Sequence, residues 1–137
     1  MSIMANLPKY LVIAVTVGSV IVIVSKMTKS NKPDVSVAVN VPALSKEAVQ
    51  GQQLFDDNCS ACHGKSAAGS DKGPPLIHKI YEPNHHGDGA FQMAAKRGAR
   101  AHHWKFGNMP AQPQVKPNEV AAIVRYVREL QRANGIY

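Results

Sequence analysis

The sequence predicts an all-α protein in which a single N-terminal transmembrane helix precedes a compact helical domain. An uncharged, apolar run occupies residues 10–24. Apolar residues recur at helical spacing after residue 46 and again after residue 117. The one stretch that alternates like a strand, residues 35–41, has no second strand-like run to pair with. The predicted parts are an anchor (residues 1–25), a flexible tether (26–45) and a helical domain (46–137).

The N-terminal run reads YLVIAVTVGSVIVIV and is bounded by Lys9 and Lys26. A bilayer-crossing helix needs about 20 apolar residues, with a lower limit of about 17. Counting Leu7 and Ser25, and with both lysines snorkelling, the run is just adequate. A cleaved signal peptide is the alternative, but the nearest small-x-small site, at residues 36–38, lies too far downstream. An uncleaved signal anchor is therefore the favoured interpretation.

The predicted tether is polar at first, then alternates with valine, and contains Pro33 and Pro42. Without a partner strand, an extended linker is the favoured interpretation of this stretch. Twenty residues of flexible coil span on the order of 25 Å. Such a tether would let the helical domain swing between partners in the membrane plane.

The helical domain opens with Ser45, a residue type that caps helix N-termini, and with Glu47 in the first turn. Ala48, Gly51 and Phe55 share one face of the predicted helix. We expect this helix to end just before Cys59.

Directly after this helix the chain reads Cys59-Ser60-Ala61-Cys62-His63. Two cysteines three apart, followed at once by histidine, form the attachment pattern of a c-type haem. A redox dithiol and part of a zinc site are the alternatives. However, the chain has no further cysteine, and no strand-like run precedes the motif. The motif therefore predicts one covalent haem c, bound through Cys59 and Cys62, with the His63 imidazole as an axial iron ligand.

With Gly51 and Phe55 ahead of it, CSACH resembles the class I cytochromes c, and the resemblance covers about residues 46–135. It implies the all-α class I cytochrome c fold, in which helices surround one covalently bound haem. It also implies that a glycine and an aromatic residue let the first and last helices cross closely, because glycine has no side chain to keep two backbones apart.

The resemblance extends to Gly73-Pro74-Pro75-Leu76. In the family, such a segment lies along the proximal side of the haem. It implies that the Pro74 carbonyl accepts the Nδ1 hydrogen of His63, which orients the ring and makes it a better donor to iron. Leu76 would pack on the porphyrin face. An ordinary proline turn is the alternative.

The second axial ligand is expected from Met109, which precedes Pro110 as the family's distal methionine often precedes a proline. A thioether favours ferrous iron, and the proline stiffens the loop that holds the sulfur. His102 and His103 are the rival ligands. Met93 is interpreted as a packing residue. The predicted iron ligands are therefore His63 and Met109.

The closing helix is predicted from Pro117 in its first turn and from Glu119 near its N-terminus. Its apolar stripe contains Val120, Ile123, Val124, Val127 and Leu130. Arg125, Arg128 and Arg132 are expected on another face. The resemblance places Tyr126 and Val127 where the last helix packs across the first.

The net charge of +7 divides into +3 over residues 1–45 and +4 over residues 46–137. A basic haem domain suits redox partners with acidic docking patches. No arginine cluster with interleaved aromatic residues suggests nucleic acid. Lysines 26, 29 and 32 would by the positive-inside rule keep the following domain in the cytoplasm. The resemblance implies the opposite side, because haem attaches to CxxCH outside the cytoplasmic membrane.

The predicted function is one-electron transfer between membrane oxidoreductases by a single-pass cytochrome c. It would lie in the inner membrane of a bacterium, with the haem domain in the periplasm. No pair of bond-making residues is implied, so an enzyme is not expected. The alternatives are a haem c subunit fixed in a dehydrogenase or oxidase complex, and a sensor or enzyme with a displaceable sixth ligand.

Overall fold

The computed structural model describes residues 7–27 and 35–137. The chain forms two compact units, residues 1–32 and 33–137. Within the first unit, helix α1 spans Leu7–Met27. Among the described residues, no helix is long and apolar enough to cross a membrane. The structure therefore does not confirm the predicted transmembrane helix.

The second unit is built from α2 (Lys46–Asn58), the single turn α3 (Ser60–His63), α4 (Asp88–Arg97) and α5 (Pro117–Ala133). Two short 3₁₀ helices, Lys65–Ala67 and Lys79–Tyr81, lie between α3 and α4. Over residues 35–137 the β structure is limited to an isolated antiparallel bridge between Ala99 and Met109. This architecture confirms the helical prediction for the second unit.

Both long helices begin at the predicted caps. The Ser45 hydroxyl accepts a hydrogen bond from the backbone N–H of Ala48 at 3.2 Å. At the start of α5, the Glu119 carboxylate accepts the backbone N–H of Lys116 at 2.8 Å. Each bond satisfies a backbone donor that has no acceptor within its helix.

The core forms where α2 crosses α5, at Gly51. A Cβ added to Gly51 would overlap the backbone oxygen of Ala122. One turn further on, the fully buried rings of Phe55 and Tyr126 pack with their centroids 5.6 Å apart. Val127 and Leu130 complete the buried face of α5 at this crossing. The close approach implied for Gly51 and Phe55 is thus confirmed.

The predicted tether differs from the structure over residues 35–45. Residues 28–34 lie outside the described part of the chain. Val37, Val39 and Leu44 pack against the core, and the Val37 backbone N–H donates to the Ala68 carbonyl at 2.8 Å. These residues belong to the second unit. Val37 and Val39 of the alternation therefore cover a face of the helical core, and a partner strand is not required.

Two polar residues of α5 are buried and hold the loops. Arg128, which is predicted to lie off the apolar stripe, is nevertheless only 6% exposed. Its guanidinium donates to the carbonyls of Tyr81 at 2.7 Å and His86 at 2.6 Å, and its Nε lies 2.9 Å from the Asp88 carboxylate. The Gln131 amide donates to the carbonyls of Leu76 and Tyr81, both at 2.9 Å. The segment between α3 and α4 is therefore fastened to α5.

We expect Gly51→Ala to lower the free energy of unfolding by about 3 kcal/mol, because the added methyl group forces α2 and α5 apart. Denaturant unfolding followed by far-ultraviolet circular dichroism measures this loss. Gly89→Ala is the matched control, since nothing lies within 4 Å of a Cβ added there in α4. Equal stability of the two variants would contradict the close crossing.

Candidate functional site

The CSACH motif forms the junction of α2 and α3. The backbone N–H of Cys59 donates to the Phe55 carbonyl at 2.8 Å, and that of His63 donates to the Cys59 carbonyl at 2.9 Å. In a helical turn, residues four apart lie on the same face. Cys59 and His63 accordingly line one cavity, whereas Cys62 is exposed and does not line it.

His63 makes the contact that the family resemblance implies. Its Nδ1 lies 2.9 Å from the Pro74 carbonyl oxygen, to which it donates. Burial lowers the pKa of His63, against the opposing effect of the Pro74 hydrogen bond. A neutral imidazole with its hydrogen on Nδ1 carries the lone pair on Nε2, which is the form that binds iron.

The segment that carries the Pro74 carbonyl is held in place through the backbone of Leu76. The backbone N–H of Leu76 donates to the Ala67 carbonyl at 2.8 Å, and Gln131 binds the Leu76 carbonyl. The Leu76 side chain is 8% exposed and lines the cavity beside Pro74. This segment is therefore an ordered wall of the site.

Met109 is placed by a backbone bridge. Its N–H donates to the Ala99 carbonyl at 2.8 Å, and its own carbonyl accepts from the Ala99 N–H at 3.0 Å. Gly98, with φ of +77°, turns the chain between α4 and this bridge, and a Cβ there would lie 2.5 Å from the Met109 oxygen. The half-buried Met109 side chain lines the cavity together with His63.

The cavity has a volume of about 420 Å³ and a largely apolar lining. Of the predicted site residues, the structure brings together Cys59, His63, Pro74, Leu76 and Met109. Phe91 and Ala94 of α4 and Val120 and Ile123 of α5 supply other walls. A buried site of this kind, with few polar groups, suits a large flat apolar cofactor.

The two thiols are poor candidates for a redox pair. Burial, and then the neighbouring Cys62, raise the pKa of Cys59 to about 11. Reactive dithiols require a lowered pKa and a thiolate. Over the described residues, the group of histidine, cysteine and acidic side chains that could hold a metal ion is His85, His86 and His103, and it contains neither cysteine. The redox and zinc alternatives for CSACH are therefore disfavoured.

The indole of Trp104 gives an independent test of fit for a haem. Its Nε1 is buried and makes no hydrogen bond of good geometry, although an interaction with the Tyr81 hydroxyl partly offsets the burial that raises the pKa of Tyr81. The Trp104 side chain lines the cavity. A buried donor without a well-placed acceptor destabilises a protein by about 1–3 kcal/mol. The carboxylates of a haem are acceptors that would suit this indole N–H, so the residues present fit the cofactor.

The rival ligands His102 and His103 also border the cavity, but both side chains are exposed. His102 Nδ1 lies 2.7 Å from the Arg100 carbonyl, and His103 Nε2 lies 3.2 Å from His85 Nε2. Partial desolvation, and then the neighbouring imidazoles, lower the pKa of His103. Both imidazole rings therefore make their hydrogen-bond contacts at the exposed edge of the cavity.

Several lining residues were not predicted from the sequence as parts of the site. Phe91, Ala94 and Ala95 recur at helical spacing within α4, so helical periodicity contained a signal for them. Trp104 and Arg100 lie in a loop, where no periodic pattern indicates which side chains turn inward.

A cysteine-cysteine-histidine turn and a bridged methionine on one apolar cavity define a haem-binding domain of the c type. The family model described as Cytochrome c matches residues 48–131, which is more than half of the chain. The chain belongs to this family: it is a class I c-type cytochrome with a covalently bound haem c.

The chain is also similar to a subunit of a cytochrome c oxidase. The Cbb3-type cytochrome c oxidase subunit CcoP of Rhodobacter capsulatus is 31% identical over 94 residues, and a second CcoP sequence from the same species matches equally. The alignment covers 65% of this chain but only 31% of that subunit. No solved structure matches significantly.

Proposed function

We propose that this protein transfers single electrons through one haem c whose iron is bound by His63 and Met109. The observation that carries the proposal is the joint lining of one apolar cavity by Cys59, His63 and Met109. When bound, haem c supplies the one-electron chemistry of iron. Cys59 and Cys62 would hold it covalently, and the protein would perform no bond-making catalysis of its own.

The surrounding residues would orient and tune the cofactor. The hydrogen bond from His63 Nδ1 to Pro74 fixes the imidazole plane and increases its donor strength. The bridge to Ala99 holds the Met109 backbone, so little conformational freedom is lost when the thioether binds. Leu76, Phe91 and Ile123 would exclude water from the porphyrin faces.

We expect Met109→Ala to lower the reduction potential by on the order of 0.1 V or more, because water or histidine would replace a ligand that favours ferrous iron. The reduced variant should also bind carbon monoxide promptly. Redox titration and visible spectroscopy of the haem-loaded protein measure both effects.

Met93→Ala is the control for this substitution, since Met93 borders the same cavity from α4 but is 46% exposed. Its potential and spectrum should remain those of the wild type. If Met109→Ala leaves the potential and the spectrum unchanged, the sixth ligand is His102 or His103 and not Met109. Prompt carbon monoxide binding by the wild type would favour a sensor or an enzyme with a displaceable ligand.

We further propose that α1 anchors the protein in the inner membrane of a bacterium, with a single pass and a periplasmic haem domain. Two features support the anchor. Residues 10–24 carry no charge. Leu11, Val15 and Ile21 of α1 are each more than 60% exposed, and such exposure of apolar side chains suits contact with lipid. The periplasmic position of the haem domain is supported by the CSACH motif, because haem attaches to such motifs outside the cytoplasmic membrane.

The proposed role is that of a carrier between membrane oxidoreductases. The charge of +4 over residues 46–137 suits acidic docking patches on its partners. The second candidate is a fixed haem subunit of an oxidase complex, which the similarity to an oxidase subunit favours. The chain spans about a third of that relative's length.

Ionic strength separates these two roles. A carrier docked through charge should dissociate from its oxidoreductase as salt rises towards about 1 M, where the Debye length falls to about 3 Å. Detergent-solubilised membranes, fractionated by size at low and high salt, provide the measurement. Co-migration with an oxidase at both salt concentrations would identify a fixed subunit. As a control for anchoring, a chain without residues 1–27 should leave salt-washed membranes, whereas the full chain stays.

A further inference from the structure

Four of the six histidines converge on one surface cluster. His85 and His86 end the loop before α4, and His102 and His103 lie in the loop before Met109. The ring centroids of His102 and His103 are 4.2 Å apart, those of His85 and His86 4.7 Å, and those of His85 and His103 5.2 Å. Electron transfer through haem c requires no such cluster, so it needs another explanation.

Three of these side chains present ligand atoms to one point. One ring nitrogen each from His85, His86 and His103 lies within 4.8 Å of the others. The Nε2 atoms of His85 and His103 are 3.2 Å apart. Two imidazole nitrogens at about 2.05 Å from a tetrahedral zinc ion are separated by about 3.3 Å. This pair is therefore already spaced as two zinc ligands.

The third ligand is oriented by a backbone contact. His86 Nδ1 lies 2.6 Å from the Ile80 carbonyl oxygen, to which it donates. This bond places the lone pair of the neutral ring on Nε2. Histidine ligands commonly donate their other ring N–H to a carbonyl in this way, which fixes the tautomer and increases ligand basicity.

The backbone that carries the cluster is fastened to the core. Arg128 of α5 donates to the carbonyls of Tyr81 and His86, which lie before and after His85 in the chain. The backbone N–H groups of His85 and His86 both donate to the Glu82 carbonyl, at 3.0 and 2.8 Å. Side chains on an ordered turn lose less conformational freedom on binding an ion than those on a free loop.

We propose that His85, His86 and His103 bind a divalent transition-metal ion of the zinc class, at a site separate from the haem iron. Three neutral imidazoles without a carboxylate favour Zn²⁺, Cu²⁺ or Ni²⁺ over Mg²⁺ and Ca²⁺, which prefer oxygen ligands. A fourth position would remain for water or for His102, whose ring is adjacent to His103. This site goes beyond the electron-transfer role and rests on the proposed Met109 ligation of the iron, because His103, like His86, also borders the haem cavity.

Zinc titration of the full-length, haem-loaded protein tests this proposal. Zinc is the probe because it has no redox chemistry and cannot exchange electrons with the haem. Competition with a chromophoric chelator should show one zinc ion per chain. His85→Gln and His103→Gln should each weaken binding at least about tenfold.

His78→Gln is the matched control, because His78 lies in the same part of the chain but packs against Trp104 instead of joining the cluster. Its zinc affinity should equal that of the wild type. The visible spectra of all variants before zinc addition report whether the haem ligands and the fold are intact.

Three results would overturn the proposal. The first is zinc binding by the wild type that is no tighter than binding by a His85→Gln/His103→Gln double variant. The second is a loss of affinity in the His78→Gln control as large as that in the cluster variants. The third is a changed iron-ligand spectrum of His103→Gln without zinc, which would assign that histidine to the haem instead of to a separate site.

Discussion

The close crossing of α2 and α5 at Gly51 is the constraint on which the rest of the second unit depends. Because Gly51 lies against the Ala122 backbone, Phe55 and Tyr126 can pack one turn further on. Cys59 caps the same helix α2, so the start of the haem motif is fixed relative to α5. Helix α5 in turn presents Val120 and Ile123 to the cavity. One glycine contact therefore sets the distance between the attachment motif and the opposite wall.

A buried polar network extends this order into the loops. The segments around Leu76, Tyr81 and His86 contain no regular helix longer than a single turn, yet they line the site. Gln131 and Arg128 of α5 donate hydrogen bonds to the backbone carbonyls of these segments. Without these side chains, the carbonyls would lie beside an apolar core and lack hydrogen-bond donors. Helix α5 therefore positions both the Pro74–Leu76 wall of the cavity and the backbone of the histidine cluster.

Short-range signals predicted much of this arrangement, and the remainder depends on tertiary packing. The Ser45 cap and the apolar stripe of α5 are local patterns, and each forms as expected. Periodicity puts Arg128 on a face other than the apolar stripe, but it cannot show that this side chain is buried to donate to the carbonyls of Tyr81 and His86. Residues 35–45 were interpreted as a tether because their partner is a helical core and not a strand. The inward side chain of Trp104 is decided by loop geometry, for which the sequence has no periodic signal.

We infer that one haem is bound covalently at Cys59 and Cys62, against the wall formed by His63 and Pro74. Acid-acetone extraction of the protein produced in a host that matures c-type haem, followed by quantification of the pigment that stays with the polypeptide, decides whether it is. One haem per chain should resist extraction, and a Cys59→Ser/Cys62→Ser double variant should retain none. A colourless wild-type polypeptide after extraction would contradict it.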